Sequence, residues 1–192
     1  MPLHTLPPQE PIRQVVFDAC HRVVEGGRPQ FVPVIQTPHS SPDSCHTNAP
    51  RMAESFGGSV QQGWSIWEVP DWEIRMEFHS VWQDPNGQLL DTTPPDVASN
   101  KVLFLPDPLI RDPKVGVPCY HHPWSDNPFC REYIETVRLL DQIFFPPGMP
   151  PLHMAHLRED EVSQIGKRLR EIARRREEEE KKHNKSRHSN PH

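Results

Sequence analysis

Cys45, His79 and Asp91 combine, in that order along the chain, into the residue set of an acyl-transfer centre. A thiol attacks as its thiolate, and an imidazolium beside it favours that form. A carboxylate beside the imidazole fixes the ring's tautomer and stabilises its charged state. In such a set Cys45 attacks a carbonyl, His79 takes and returns the proton, and Asp91 orients His79. Whether His79 and Asp91 meet depends on the turn between them. Asp84-Pro85-Asn86-Gly87 signals a hairpin, and a three-residue loop with Gly87 in the left-handed conformation is a common solution. That loop sets Gln83 against Leu89 and Trp82 against Leu90, so Val81 faces Asp91 and His79 faces Thr93. His79 and Asp91 then become diagonal neighbours on one face of the sheet. A slip of one residue would send them to opposite faces. Upstream, Cys45 follows Pro42-Asp43-Ser44 and precedes a helical stretch, whose N-terminal partial charge favours a thiolate. Pro50 sits five residues on, which places the helix start near Thr47 or Asn48, or bends the helix.

Glu77-Phe78-His79-Ser80-Val81-Trp82 and Leu89-Leu90-Asp91-Thr92-Thr93-Pro94 resemble the His and Asp strands of the transglutaminase-like group. That group belongs to the papain-like cysteine-enzyme superfamily, and the resemblance covers about residues 43–95. It implies the roles of nucleophile, base and orienter for Cys45, His79 and Asp91. It also implies a helix packed on an antiparallel sheet and a glutamine upstream of the cysteine as oxyanion donor. Gln36 is the candidate for that donor, beside the backbone N–H of Cys45. The implied chemistry is covalent catalysis on an amide, thioester or related acyl group of a peptide, protein or small molecule. Hydrolysis, deamidation and transfer share this constellation and stay open.

A second cluster, Cys119, His121, His122 and Cys130, contains only zinc-ligand residue types. Its spacing matches no common finger, so a zinc-stapled loop stands beside simple packing around Trp124 and Phe129. Zinc is the only cofactor the chain suggests. Trp64 and Trp82 are candidates to line a substrate cleft, or else sheet core. Asn48 and His46 flank the candidate nucleophile as pocket residues or helix caps. A non-enzymatic interaction module on the same fold is the alternative, as is a metal enzyme built on His121 and His122.

The elements that must position these residues follow from periodicity. Ile12, Val15, Val16, Ala19, Cys20, Val23 and Val24 predict a helix over residues 11–26. Residues 31–35 form a short strand, and a helix ends at Gly57-Gly58. Strands over 64–69, 72–82 and 88–92 predict a three-stranded antiparallel sheet from about residue 64 to 93. Residues 94–128 are irregular apart from a strand candidate at 101–105. A helix over 131–145 ends at Pro146-Pro147. A last helix over about 157–182 carries Val162, Ile165, Leu169 and Ile172 in a seam suited to docking or to dimerisation. Beyond Arg174 only charge remains.

Of the 192 residues, 24 are proline, and mean hydropathy is -0.72. Charge is uneven: residues 157–192 hold 11 Lys/Arg against 8 Asp/Glu, and the rest hold 10 against 18. An acidic body argues against nucleic-acid binding. No apolar run approaches the ~18–20 residues that span a bilayer. No basic-then-apolar leader opens the chain, and four scattered cysteines make no disulfide scaffold. The expectation is a cytoplasmic α+β protein with a papain-like or transglutaminase-like core over residues 1–150. A charged helix over 151–182 and a disordered tail over 183–192 complete it.

Overall fold

The computed structural model describes residues 5–38, 40–95, 99–109, 116–145 and 159–188, with side chains as far as residue 182. In chain order the elements are α1 (Gln14–Val23), β1 (Gln30–Pro33), α2 (Cys45–Phe56), β2 (Ser59–Val69) and β3 (Glu73–Gln83). They continue with β4 (Leu89–Leu90), β5 (Lys101–Pro106), β6 (Tyr120–Pro123), α3 (Pro128–Phe144) and α4 (Glu159–His188). The class is α+β. No helix among the described residues is long and apolar enough to cross a membrane.

The hairpin register is the one the turn chemistry predicts. Trp82 pairs with Leu90 and Gln83 with Leu89. Gly87 takes φ 87°, and Asp84 accepts from Gly87 N–H while its own N–H donates to Gln88 C=O, both at 2.9 Å. The sheet itself is larger than three strands. Its order is β1-β5-β2-β3-β4, with β6 also on β3. β5 therefore lies between β1 and β2, a pairing that no local signal announces. Beyond β4 the chain does not continue along β3: Asp91 bridges Val34 in parallel, so the two ends of the sheet nearly close. Ile35 N–H donates to Asp91 C=O at 2.8 Å, and Asp91 N–H donates to Pro33 C=O at 2.9 Å.

The two sheet faces have different partners. Ile66, Ile74, Met76, Leu103 and Leu105 pack on Val16, Ala19 and Cys20 of α1. On the other face Val32, Val81, Val102 and Phe104 meet across the curved sheet. Gly63, paired with His79, sits where a Cβ would come within 2.5 Å of the Phe104 ring, so only glycine fits. The Phe104 ring meets His79 edge-on at 6.4 Å.

α3 begins three residues earlier than its apolar pattern suggests, because Asn127 caps it and Pro128 occupies its first turn. α4 docks on the body: Ile172 is fully buried with Trp72, Tyr133, Ile134 and Val137. The charge beyond Arg174 is not idle either. Arg175 pairs with Glu132 at 2.6 Å, and Arg176 donates to Asp71 C=O at 2.6 Å while lying over Trp72. α4 runs on to His188, into the stretch expected as tail, and residues 189–192 of that tail lie outside the described residues.

Candidate active site

α2 starts at Cys45 despite Pro50, which it carries inside. Pro50 removes only the bond to the His46 carbonyl and leaves the first turn intact. Ser44, the N-cap, makes no side-chain capping bond and donates instead to Pro42 C=O at 3.0 Å. The backbone N–H groups of Cys45 and His46, in the first helical turn, have no intrahelical acceptor.

β4 pairs with β3 only at Trp82 and Gln83, and β6 only at Glu73–Met76, so neither covers the β3 edge between Glu77 and Val81. The start of α2 straddles that edge. Cys45 lies beside His79 on one face, where the imidazole favours its thiolate, and His46 Nδ1 meets Ser80 Oγ on the other at 2.6 Å. Asp91, 1% exposed, accepts from His79 Nε2 at 3.0 Å through Oδ2 and from Thr93 N–H at 2.9 Å through Oδ1. With Nε2 engaged, Nδ1 is the ring nitrogen left for Cys45. Asn48 ties the parts together. Its amide donates to Ser41 C=O at 2.8 Å and to Thr93 Oγ1 at 3.1 Å, and its Oδ1 accepts from Ser41 N–H.

Electrostatics follow from these contacts. Burial opposes the charged imidazole, yet the hydrogen bond and charge of Asp91, with those of Cys45, push His79 up to about 10. Burial likewise opposes the thiolate. Hydrogen bonds from His46 and His79, and their charges, outweigh it and bring Cys45 down to about 6. Both shifts favour a thiolate beside an imidazolium. Cys20 and Cys119 go the opposite way: burial pushes Cys20 up to about 12, and burial with Asp141 and Glu77 raises Cys119.

Cys45, His46, His79 and Asp91 lie at one end of a cavity of about 590 Å³. Gln36 is exposed and lies outside this cavity. Trp64 and Trp82 are buried, their indole N–H groups held by Asp107 Oδ2 and Gly57 C=O at 2.9 Å, and neither lines the cavity. Asn48 is a clamp behind the nucleophile.

The four zinc-type residues do not converge. His121 and His122 are consecutive in β6 and point to opposite faces, and Cys130 Sγ, in the first turn of α3, donates to Asp71 C=O. Both His121 nitrogens are engaged, Nδ1 with Glu73 Oε2 at 2.6 Å and Nε2 with Asp141 Oδ2 at 2.8 Å. Burial opposes the His121 charge, but these two carboxylates outweigh it and push the ring up to about 9. No group of three or more His, Cys, Asp or Glu side chains is arranged to hold a metal among the described residues.

Two contributors were not assigned roles from the sequence: Ser80, which looks like any alternating strand residue, and Gly63, whose need appears only when Phe104 is placed opposite. No family model, curated protein or solved structure matches the chain.

Proposed function

We propose that this protein is a cysteine-dependent acyl-transfer enzyme with a papain-like arrangement of its core. The observation that carries the proposal is the convergence of three residues from separate elements: Cys45 at a helix start, His79 on an open strand edge, and Asp91 on His79 Nε2. The Cys45 thiolate adds to a carbonyl carbon, and the backbone N–H groups of Cys45 and His46 stabilise the oxyanion. Collapse breaks the bond to the leaving group, which takes the His79 proton and leaves a Cys45 thioester. A water or amine then loses its proton to His79 as it attacks that thioester, and Cys45 is released as thiolate. Asp91 holds the ring through both transfers.

The test is iodoacetamide labelling of each cysteine against pH, read by mass spectrometry. Cys45 labels with a midpoint near 6 while Cys20 and Cys119 stay inert to beyond pH 9. In His79→Ala the Cys45 midpoint rises towards the ordinary thiol value of about 8.5. An unchanged midpoint in that variant overturns the proposal, and the interaction-module reading takes its place.

A further inference from the structure

We infer that the cavity beside Cys45 is an acyl-group pocket for an uncharged, largely apolar small molecule. The inference rests on the acyl-transfer reading and names the substrate class of that same site. The cavity extends from His79 along the inner face of β3 past Glu77 to Arg75, about 13 Å for four strand residues. Its volume of about 590 Å³ falls among pockets of ~300–1,000 Å³ that enclose most of a drug-sized ligand. A folded protein surface does not enter such a space; a slender acyl chain or ring does.

Two features of the wall select the ligand. Trp67 from β2, Val117, the α3 residues Val137, Leu140 and Phe144, and Phe145 at the α3 C-cap give one side an apolar lining. The charged groups on the floor are already engaged with one another, with acids outnumbering bases: Arg75 with Glu77 at 2.9 Å, His121 with Glu73 and Asp141, His79 with Asp91 and Cys45. Asp43, the remaining charged residue of the lining, is exposed. A charged ligand would have to displace one of these contacts or leave water for the apolar wall, and either is costly. An apolar chain meets neither obstacle and gains from leaving water. With its carbonyl at Cys45, such a ligand points its far end towards Arg75 and Cys119.

Calorimetric titration of the Cys45→Ala protein reads the cavity without the chemistry. Butanamide, hexanamide and octanamide are the neutral probes; 8-amino-octanamide and the monoamide of octanedioic acid are the charged ones. Affinity is expected to rise about fourfold per added methylene. Either terminal charge is expected to weaken octanamide binding at least tenfold. Leu140→Trp fills the cavity and abolishes binding; Phe145→Ala enlarges it and shifts the preference to longer chains, which keeps the test open if the first variant does not fold. Affinity indifferent to chain length, or stronger for a charged amide, overturns the inference. Binding by this series together with an ordinary Cys45 labelling profile overturns the acyl-transfer reading and leaves the pocket assignment standing. Rapid Cys45 labelling with no chain-length dependence does the reverse.

Discussion

His79 and His121 line the same cavity, and each is held by carboxylate within 3.0 Å, yet they are built for different ends. His121 has an acid on each nitrogen. Its proton has nowhere to go, and the cluster works as a buried strut joining β3, β6 and α3. His79 has an acid on one nitrogen only, and the other meets a thiol. The cysteines repeat the contrast, since Cys45 beside two imidazoles is brought down while Cys119 beside carboxylates is raised. What separates a strut from the proposed reaction centre here is one ring nitrogen left without a carboxylate.

Breaking the strut should produce the largest effect on stability. His121→Leu leaves Glu73 and Asp141 facing each other in the interior, and losing one partner of a buried ion pair costs about 3–5 kcal/mol. Urea unfolding checks this. The Cys45 labelling midpoint should not move in the same variant below its unfolding transition, and a shift would show the two histidines to be coupled.

The pH dependence of stability sharpens the contrast. His121 has a folded value of about 9 against 6.5 in the free side chain, so its contribution is full below pH 6.5 and is lost as pH rises through 9. His79, raised to about 10, acts in the same direction. Cys45 acts oppositely: lowered from 9.0 to about 6, it contributes fully above pH 9 and loses that contribution as pH falls through 6. Between pH 6.5 and 9 the reactive pair therefore cancels, and the strut alone sets the slope. Stability is expected to fall by about 1.4 kcal/mol per pH unit at the steepest, and the slope to flatten in Asp141→Asn. Urea midpoints at pH 6.5, 7.5 and 9 measure it.

Removing the second imidazole should be milder. A hydrogen bond to a charged group is worth about 1.5–3 kcal/mol, so His46→Ala raises the Cys45 midpoint by about one to two units. Ser80→Ala, which frees the His46 ring, moves it in the same direction by less. The same labelling profile reads both. The smallest effects belong to α4: truncation after residue 174 removes the Arg175 and Arg176 contacts and costs about 1 kcal/mol, and truncation after residue 182 changes stability by less than about 0.5 kcal/mol. Thermal unfolding separates the two.

The parts of this arrangement that were legible in the sequence are those governed by local chemistry. Asn86-Gly87 dictates its own loop, and with it the pairing of Gln83 and Leu89 that brings Asp91 within reach of His79. Gly57 and Gly58 end α2 for equally local reasons. The same loop nevertheless predicts Asp91 against Val81, whereas Asp91 leaves β3 and bridges Val34, because the pull comes from a segment nearly sixty residues away. The strut escaped notice for the same reason. Glu73, His121 and Asp141 come from three elements, and His121 reads as a metal ligand until β6 is set against β3. Pro50 misled in the other direction. It argues for a later helix start, but the position costs one bond in a helix that keeps its first turn for Cys45.

The bridge between Val34 and Asp91 ties reactivity to the completion of folding. The segment from Cys45 to Asp91 contains the three residues to which the proposed mechanism gives the roles of nucleophile, base and orienting acid, but Asp91 is held from outside it, by Pro33 and Ile35. A nascent or partly unfolded chain whose first strand has not closed onto β4 leaves Asp91 unanchored and Cys45 an ordinary thiol. On the proposed mechanism the closure seam is a safety catch: the sulfur is armed only where the Val34–Asp91 bridge is made.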